Sequence, residues 1–142
     1  MKRLRFRWSG AIVFGLVLFV SACTSAEETA QLKEAAERGE QSYRQYRTGD
    51  YDTAKNAVLN YIQYLEGKLA DPKFVHVESS KSDLMTNYAR LARLEQRYNG
   101  PDRDMYTQKA IAMCQQLKMK RNCTPLDLEA HVDAIDAMFP IR

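Results

Sequence analysis

From residue 31 onward, apolar side chains return every three or four positions, the spacing that puts them on one face of an α-helix. Leu32, Ala35, Ala36, Gly39, Tyr43 and Tyr46 share the first such face, and Gly49 ends it. Asp50 is placed to cap a second helix on the stripe Tyr51, Ala54, Val58, Tyr61, Ile62, Leu65 and Leu69. Asp71-Pro72 closes that helix, because the residue before a proline is driven out of helical backbone. Residues 72–82 break the period: Phe74, Val75 and Val77 surround His76, a serine-rich run follows, and the segment reads as a loop. Ser80 and Asp83 fit a capping pattern that opens a third helix on Leu84, Tyr88, Leu91, Ala92 and Tyr98. Asn99-Gly100-Pro101 breaks it, and a fourth helix is predicted from about Asp102 to Met119 with Tyr106, Ala110, Met113, Cys114 and Leu117 inward. Thr124-Pro125, a cap followed by a first-turn proline, opens a fifth that buries Leu128, Val132, Ile135 and Phe139. The pattern leaves no room for a sheet. The expected fold is all-α: about five amphipathic helices, arranged as two antiparallel hairpins and a C-terminal capping helix.

The first thirty residues follow different rules. Lys2, Arg3, Arg5 and Arg7 form a basic stretch with no acidic neighbour, and the thirteen residues from Gly10 to Ala22 carry no charge and end in small side chains before Cys23. A bilayer core needs roughly 20 apolar residues in a helix, so this run is too short for a permanent span and has the order of an export signal. Residues 24–30 are polar and without periodicity, the composition of a short tether.

The junction Val20-Ser21-Ala22-Cys23 resembles the processing box of bacterial lipoprotein signal peptides: an aliphatic residue, two small residues and a cysteine. The resemblance covers the first two dozen residues. It implies that residues 1–22 are removed, that the Cys23 thiol carries diacylglycerol, and that the new amine is often acylated as well. Each buried methylene contributes about 0.8 kcal/mol, so several acyl chains suffice to hold a protein on a membrane where one short chain does not. Thr24 follows the cysteine, where this family tends to place aspartate for retention at the inner membrane. The implied location is the outer membrane, facing the periplasm.

Removing such a signal changes the electrostatics. Four of the 21 cationic residues and none of the 18 acidic ones lie in residues 1–22, so the remainder holds 17 against 18 and its net charge is about −1. A nucleic-acid partner, which needs concentrated Lys and Arg, loses its support. The 120 residues that follow are the size of one domain, here residues 31–142 beyond the tether. Lipidation would also consume one of three cysteines, leaving Cys114 and Cys123 to pair in an oxidising compartment. A chain reversal after the fourth helix would let them form a disulfide; two buried free thiols are the alternative.

The run Gly49-Asp50-Tyr51-Asp52-Thr53-Ala54, with Val58 and Tyr61, resembles the turn and second helix of a tetratricopeptide repeat. In that family the glycine permits the tight turn, the aromatic wedges between helices and the alanine lets backbones approach. Tyr88, Leu91 and Ala92 are similar to the first helix of such a repeat, and Ala110 with Cys114 to the second. The resemblance spans roughly residues 38–118. Arg38 and Gln41 stand where the family has an aromatic and a leucine, and the loop at 72–82 departs from its period of about 34 residues.

Candidate chemistry is sparse. Only His76 and His131 offer an imidazole base, and neither has a partner at metal-ligand spacing. The carboxylates read as solvated helix faces; Asp133 and Asp136 lie one turn apart but do not complete a calcium shell. No phosphate-binding glycine loop occurs. No metal, cofactor, small-molecule substrate or catalytic residue is therefore expected. The eight tyrosines all follow Cys23, and Tyr46, Tyr64 and Tyr98 are candidates to line a partner-binding groove, with core aromatics as the plainer reading. The expected function is a membrane-anchored, non-enzymatic interaction or assembly module holding an envelope protein. An immunity or inhibitor protein that blocks a toxin or hydrolase is the second reading.

Overall fold

The computed structural model describes residues 26–118 and 122–139. Five helices are present among them, α1 (Ala26–Thr48), α2 (Tyr51–Leu69), α3 (Val77–Tyr98), α4 (Arg103–Gln115) and α5 (Pro125–Met138), and no strand. The fold is all-α, as the periodicity predicts. The basic and apolar N-terminal stretch and Cys23 lie outside the described residues.

Each helix packs on the next, α1 on α2, α2 on α3 and α3 on α4, so the first four form two consecutive antiparallel hairpins. The first turn is tight because of Gly49: a Cβ there would come within 2.6 Å of the Gln45 carbonyl oxygen. Asp50 then caps α2 by accepting the Thr53 N–H at 2.8 Å. The stripe of α2 delivers Ala54, Val58, Tyr61, Ile62 and Leu65 to a continuous core with Leu84, Met85, Tyr88, Leu91 and Leu94 of α3 and Tyr106, Ala110 and Cys114 of α4. α3 stops at Asn99, which adopts left-handed backbone (φ 54°) and donates its N–H to the Glu95 carbonyl. Thr124 and Asp127 form a reciprocal capping box at the start of α5, with Pro125 in its first turn.

α5 does not continue the stack. It lies on α3 and α4 through Leu128 and Val132, and its last turn reaches across to α1, where the Tyr43 hydroxyl meets the carbonyls of Asp136 and Phe139 at 3.2 and 2.9 Å. Cys114 and Cys123 are joined as a disulfide with Cα atoms 5.8 Å apart, tying the entry of α5 to the end of α4.

Several boundaries differ from the sequence expectation. Residues 26–30, expected to be tether, already belong to α1; Glu27 and Glu28 in its first turn complement the helix dipole and Ala26 and Ala30 favour helix. α3 starts at Val77, with Ser80 buried inside it rather than capping it. There the Ser79 hydroxyl donates to the His76 carbonyl at 3.0 Å, so the serine run completes the first turn instead of interrupting it, and buried Phe74 anchors the preceding loop. α4 ends at Gln115, short of Met119, because the N–H groups of Gln116 and Leu117 fold back to the Met113 and Cys114 carbonyls. Phe139 is 61% exposed, not buried: the backbone leaves the helix there, directing the carbonyl to Tyr43 and the ring to solvent.

Candidate functional site

Two charged clusters and a cleft stand out among the described residues. The first cluster sits at the α3–α4 turn. Glu95 is fully buried and falls on the same stripe as Leu84, Tyr88 and Leu91. Its carboxylate meets the Lys55 ammonium at 2.7 Å, accepts the Tyr51 hydroxyl at 2.7 Å and accepts the Asp102 N–H at 3.3 Å; Lys55 also reaches the Asp102 carboxylate at 3.2 Å. Burial works against the Glu95 charge, but Lys55, Tyr51 and the Asp102 amide outweigh it and hold its pKa below the ordinary carboxylate value. The same partners, led by Glu95, raise the Lys55 pKa. Gly100 closes over this carboxylate so closely that a Cβ would collide with it. The cluster thus pins α2, α3 and the turn between the second pair of helices, and every member of it is spent on another.

The second cluster lies under α5. Arg90 is buried with its guanidinium 4.6 Å from the Tyr43 ring centre and 5.6 Å from that of Tyr46, and it binds Asp136 at 2.8 Å. Arg93 and Arg47 approach the same carboxylate at 3.8 Å each, and Arg93 pairs with Asp133 at 2.8 Å. Asp133 and Asp136 are thus both paired with arginines. Among the described residues no group of three His, Cys, Asp or Glu side chains converges in a way that could hold one.

Between α3, α4 and α5 lies an open cleft of about 300 Å³. Ala89, Ala92, Ala110 and Leu128 make its apolar floor, and Arg93, Gln96, Arg103, Asp104 and Glu129 its rim. Small floor residues and mixed charge at the edge suit a side chain or helix edge of another protein better than an enclosed small molecule. No family model matches the chain, and no curated protein or solved structure is detectably similar to it. What the site can do must therefore be read from its own residues.

The three candidate tyrosines do not share a surface. Tyr46 is a core residue at 4% exposure with the Arg90 guanidinium over its ring, and burial followed by the Asp136 charge raises its pKa; it is unavailable to line a groove. Tyr64 stacks on Tyr61 with Arg38 and Lys68 over its ring, on the α1–α2 side of the molecule. Tyr98 is half exposed against Tyr51 at the far end of α3. The histidines are also apart: His76 precedes α3 with its ring edge-on to Phe74, while His131 of α5 lies 3.0 Å from the Thr86 hydroxyl of α3. The reading of all carboxylates as solvated fails for Glu95 and Asp136. Glu95 was detectable, since it occupies a core position in the spacing Leu84, Tyr88, Leu91, Glu95, Tyr98. Asp136 was not, because its partners come from α1 and α3.

Proposed function

We propose that this chain is a bacterial envelope lipoprotein, anchored through acyl chains on Cys23, whose helical domain acts as a non-enzymatic interaction module. The observation that carries this reading is the order of the first 23 residues: cations, a thirteen-residue uncharged run and the box Val20-Ser21-Ala22-Cys23. The Cys114–Cys123 disulfide supports it, because such bonds persist in oxidising compartments and because it leaves Cys23 as the odd thiol. The hairpin pair also agrees with the tetratricopeptide-like turn at Gly49–Ala54, an architecture whose helices serve as binding surfaces.

The described polar groups favour binding over chemistry. Both charged clusters are closed on themselves, whereas the α3–α4–α5 cleft presents an apolar floor with a charged rim. Tethering supplies the functional gain: a domain confined to a membrane meets other components of that membrane at a raised effective concentration.

Photo-cross-linking in living cells from Gln96, on the cleft rim, tests the reading. The expected result is one dominant envelope protein, captured from the anchored chain and lost or strongly reduced in the Cys23→Ser variant. Equal capture from both forms, or a scatter of abundant proteins, would contradict it. Recovery of a single toxic enzyme would move the assignment to an immunity protein.

A further inference from the structure

We propose that the domain has a fixed orientation on its membrane: the end built from the start of α1, the 70–76 loop and the start of α3 faces the phospholipid headgroups. This rests on the reading of Cys23 as the lipidated residue, and adds to it which surface the bilayer covers. Only two residues separate Cys23 from Ala26, where the described part of α1 begins. Three Cα steps span at most about 11 Å even when fully extended, so the acyl chains and the helix cannot be far apart.

α1 is in turn fixed to the body. Glu34 pairs with Lys68 of α2 at 3.1 Å, the Tyr61 hydroxyl reaches the Ala35 carbonyl at 3.3 Å and the Ser42 hydroxyl the Ala57 carbonyl at 3.0 Å. Gly39 allows this closeness, since a Cβ there would stand 2.9 Å from the Tyr61 oxygen. Residues 26–33 lie before Glu34 as two helical turns, about 12 Å of helix. A link of two residues to a helix fixed on α2 keeps this end of the body close to the anchor.

The antiparallel order of the helices then sorts the surface. The start of α1 shares an end with the 70–76 loop, because Glu34 pairs with Lys68 in the last turn of α2. Leu32 and Val75, 45% and 54% exposed, stand at this end together with Lys73 and Lys81. Exposed apolar and cationic side chains in one place suit a phospholipid headgroup layer. Of the acidic groups there, Glu34 is paired with Lys68, Asp71 and Glu78 accept the backbone N–H groups of Lys73 and Lys118 and keep their charge, and Glu27 and Glu28 lie in the first turn of α1. The opposite end holds the Gly49 and Asn99–Asp102 turns with exposed Tyr98 and Met105; α3 alone separates the two by about 33 Å. That far end and the cleft beside it face the compartment where a partner is met.

The sole tryptophan, Trp8, precedes Cys23, so a processed chain offers a clean optical background. The test uses Val75→Trp and Tyr98→Trp variants, each purified as the acylated chain and incorporated into vesicles carrying a dansyl-labelled headgroup. The expected result is energy transfer several-fold stronger from the Val75→Trp variant. An insertion of about twelve Gly/Ser residues after Ser25, with an r.m.s. span of roughly 20 Å, should remove most of that difference. Equal transfer from both variants without the insertion, or stronger transfer from Tyr98→Trp, would overturn the orientation while leaving the anchor intact. Failure of the chains to float with vesicles, with Cys23 unacylated by mass spectrometry, would instead remove the anchor itself.

Discussion

At the α3–α4 turn a carboxylate is sealed inside the core, whereas under α5 another is held near the rim and shared. Glu95 has no exposure, with Lys55 and Tyr51 both at 2.7 Å; Asp136 is 11% exposed and collects Arg90 at 2.8 Å with Arg93 and Arg47 further out. A buried ion pair costs as much to desolvate as it gains by attraction, so it specifies register more than it stabilises. Removing one member strands the other, and the penalty falls on the whole hairpin pair. The Asp136 cluster is redundant and closer to water, so losing one bond loosens a single helix. α5 adds Leu128 and Val132 to the core and α1 adds Tyr46, fewer apolar residues than α2, α3 or α4 contributes. The difference teaches that α5 should open before the hairpins part.

Breaking the pin should cost most. Lys55→Met leaves the Glu95 carboxylate buried without its ammonium and should lower stability by about 3–5 kcal/mol in urea unfolding, with replacement of both residues by methionine recovering most of the loss. Glu95 also gives this region a pH signature. Its folded pKa lies below the ordinary 4.5, so its contribution is complete above that value and is lost as pH falls through the lower folded one. Acid titration of Glu95→Gln should therefore show a shallower decline below pH 4.5 than the native chain.

Next in size is the bridge. Replacing Cys114 and Cys123 together with serine removes a cross-link of sequence separation 9 and should cost about 2.5 kcal/mol on the chain-entropy account. Hydrogen exchange should then accelerate in α5 and leave α2 and α3 protected; acceleration throughout would show that the two regions form one cooperative unit. Asp136→Asn should cost about 1–2 kcal/mol, less at high salt, and should again speed exchange in α5. Thr124→Ala removes the cap of the same helix and should cost about 1 kcal/mol, detectable as a small shift of the urea midpoint.

Much of this architecture is legible in the chain because it follows from local rules. The stripe of α2, the buried Tyr106, Ala110 and Cys114 of α4, the caps at Asp50 and Thr124, and the breaks at Gly49 and Asn99-Gly100 depend on neighbours within a turn or two, and all appear where the spacing puts them. Other features depend on contacts that the apolar spacing does not announce. The serine run before Leu84 reads as a loop, but the Ser79 hydroxyl bonds the His76 carbonyl within the first turn of α3. Arg90 closes over Tyr46 from α3, and Phe139 continues the α5 stripe in sequence although the helix has ended. The cleft is assembled from three helices, and no local pattern announces it.

The proposed anchoring, location and orientation of this domain all depend on the chemistry at Cys23. Mass spectrometry of the N-terminal peptide from protein isolated with its membrane tests that directly. A chain beginning at residue 23 with acyl groups on the cysteine is the predicted result; a chain that still begins at Met1 with a free Cys23 thiol would contradict it.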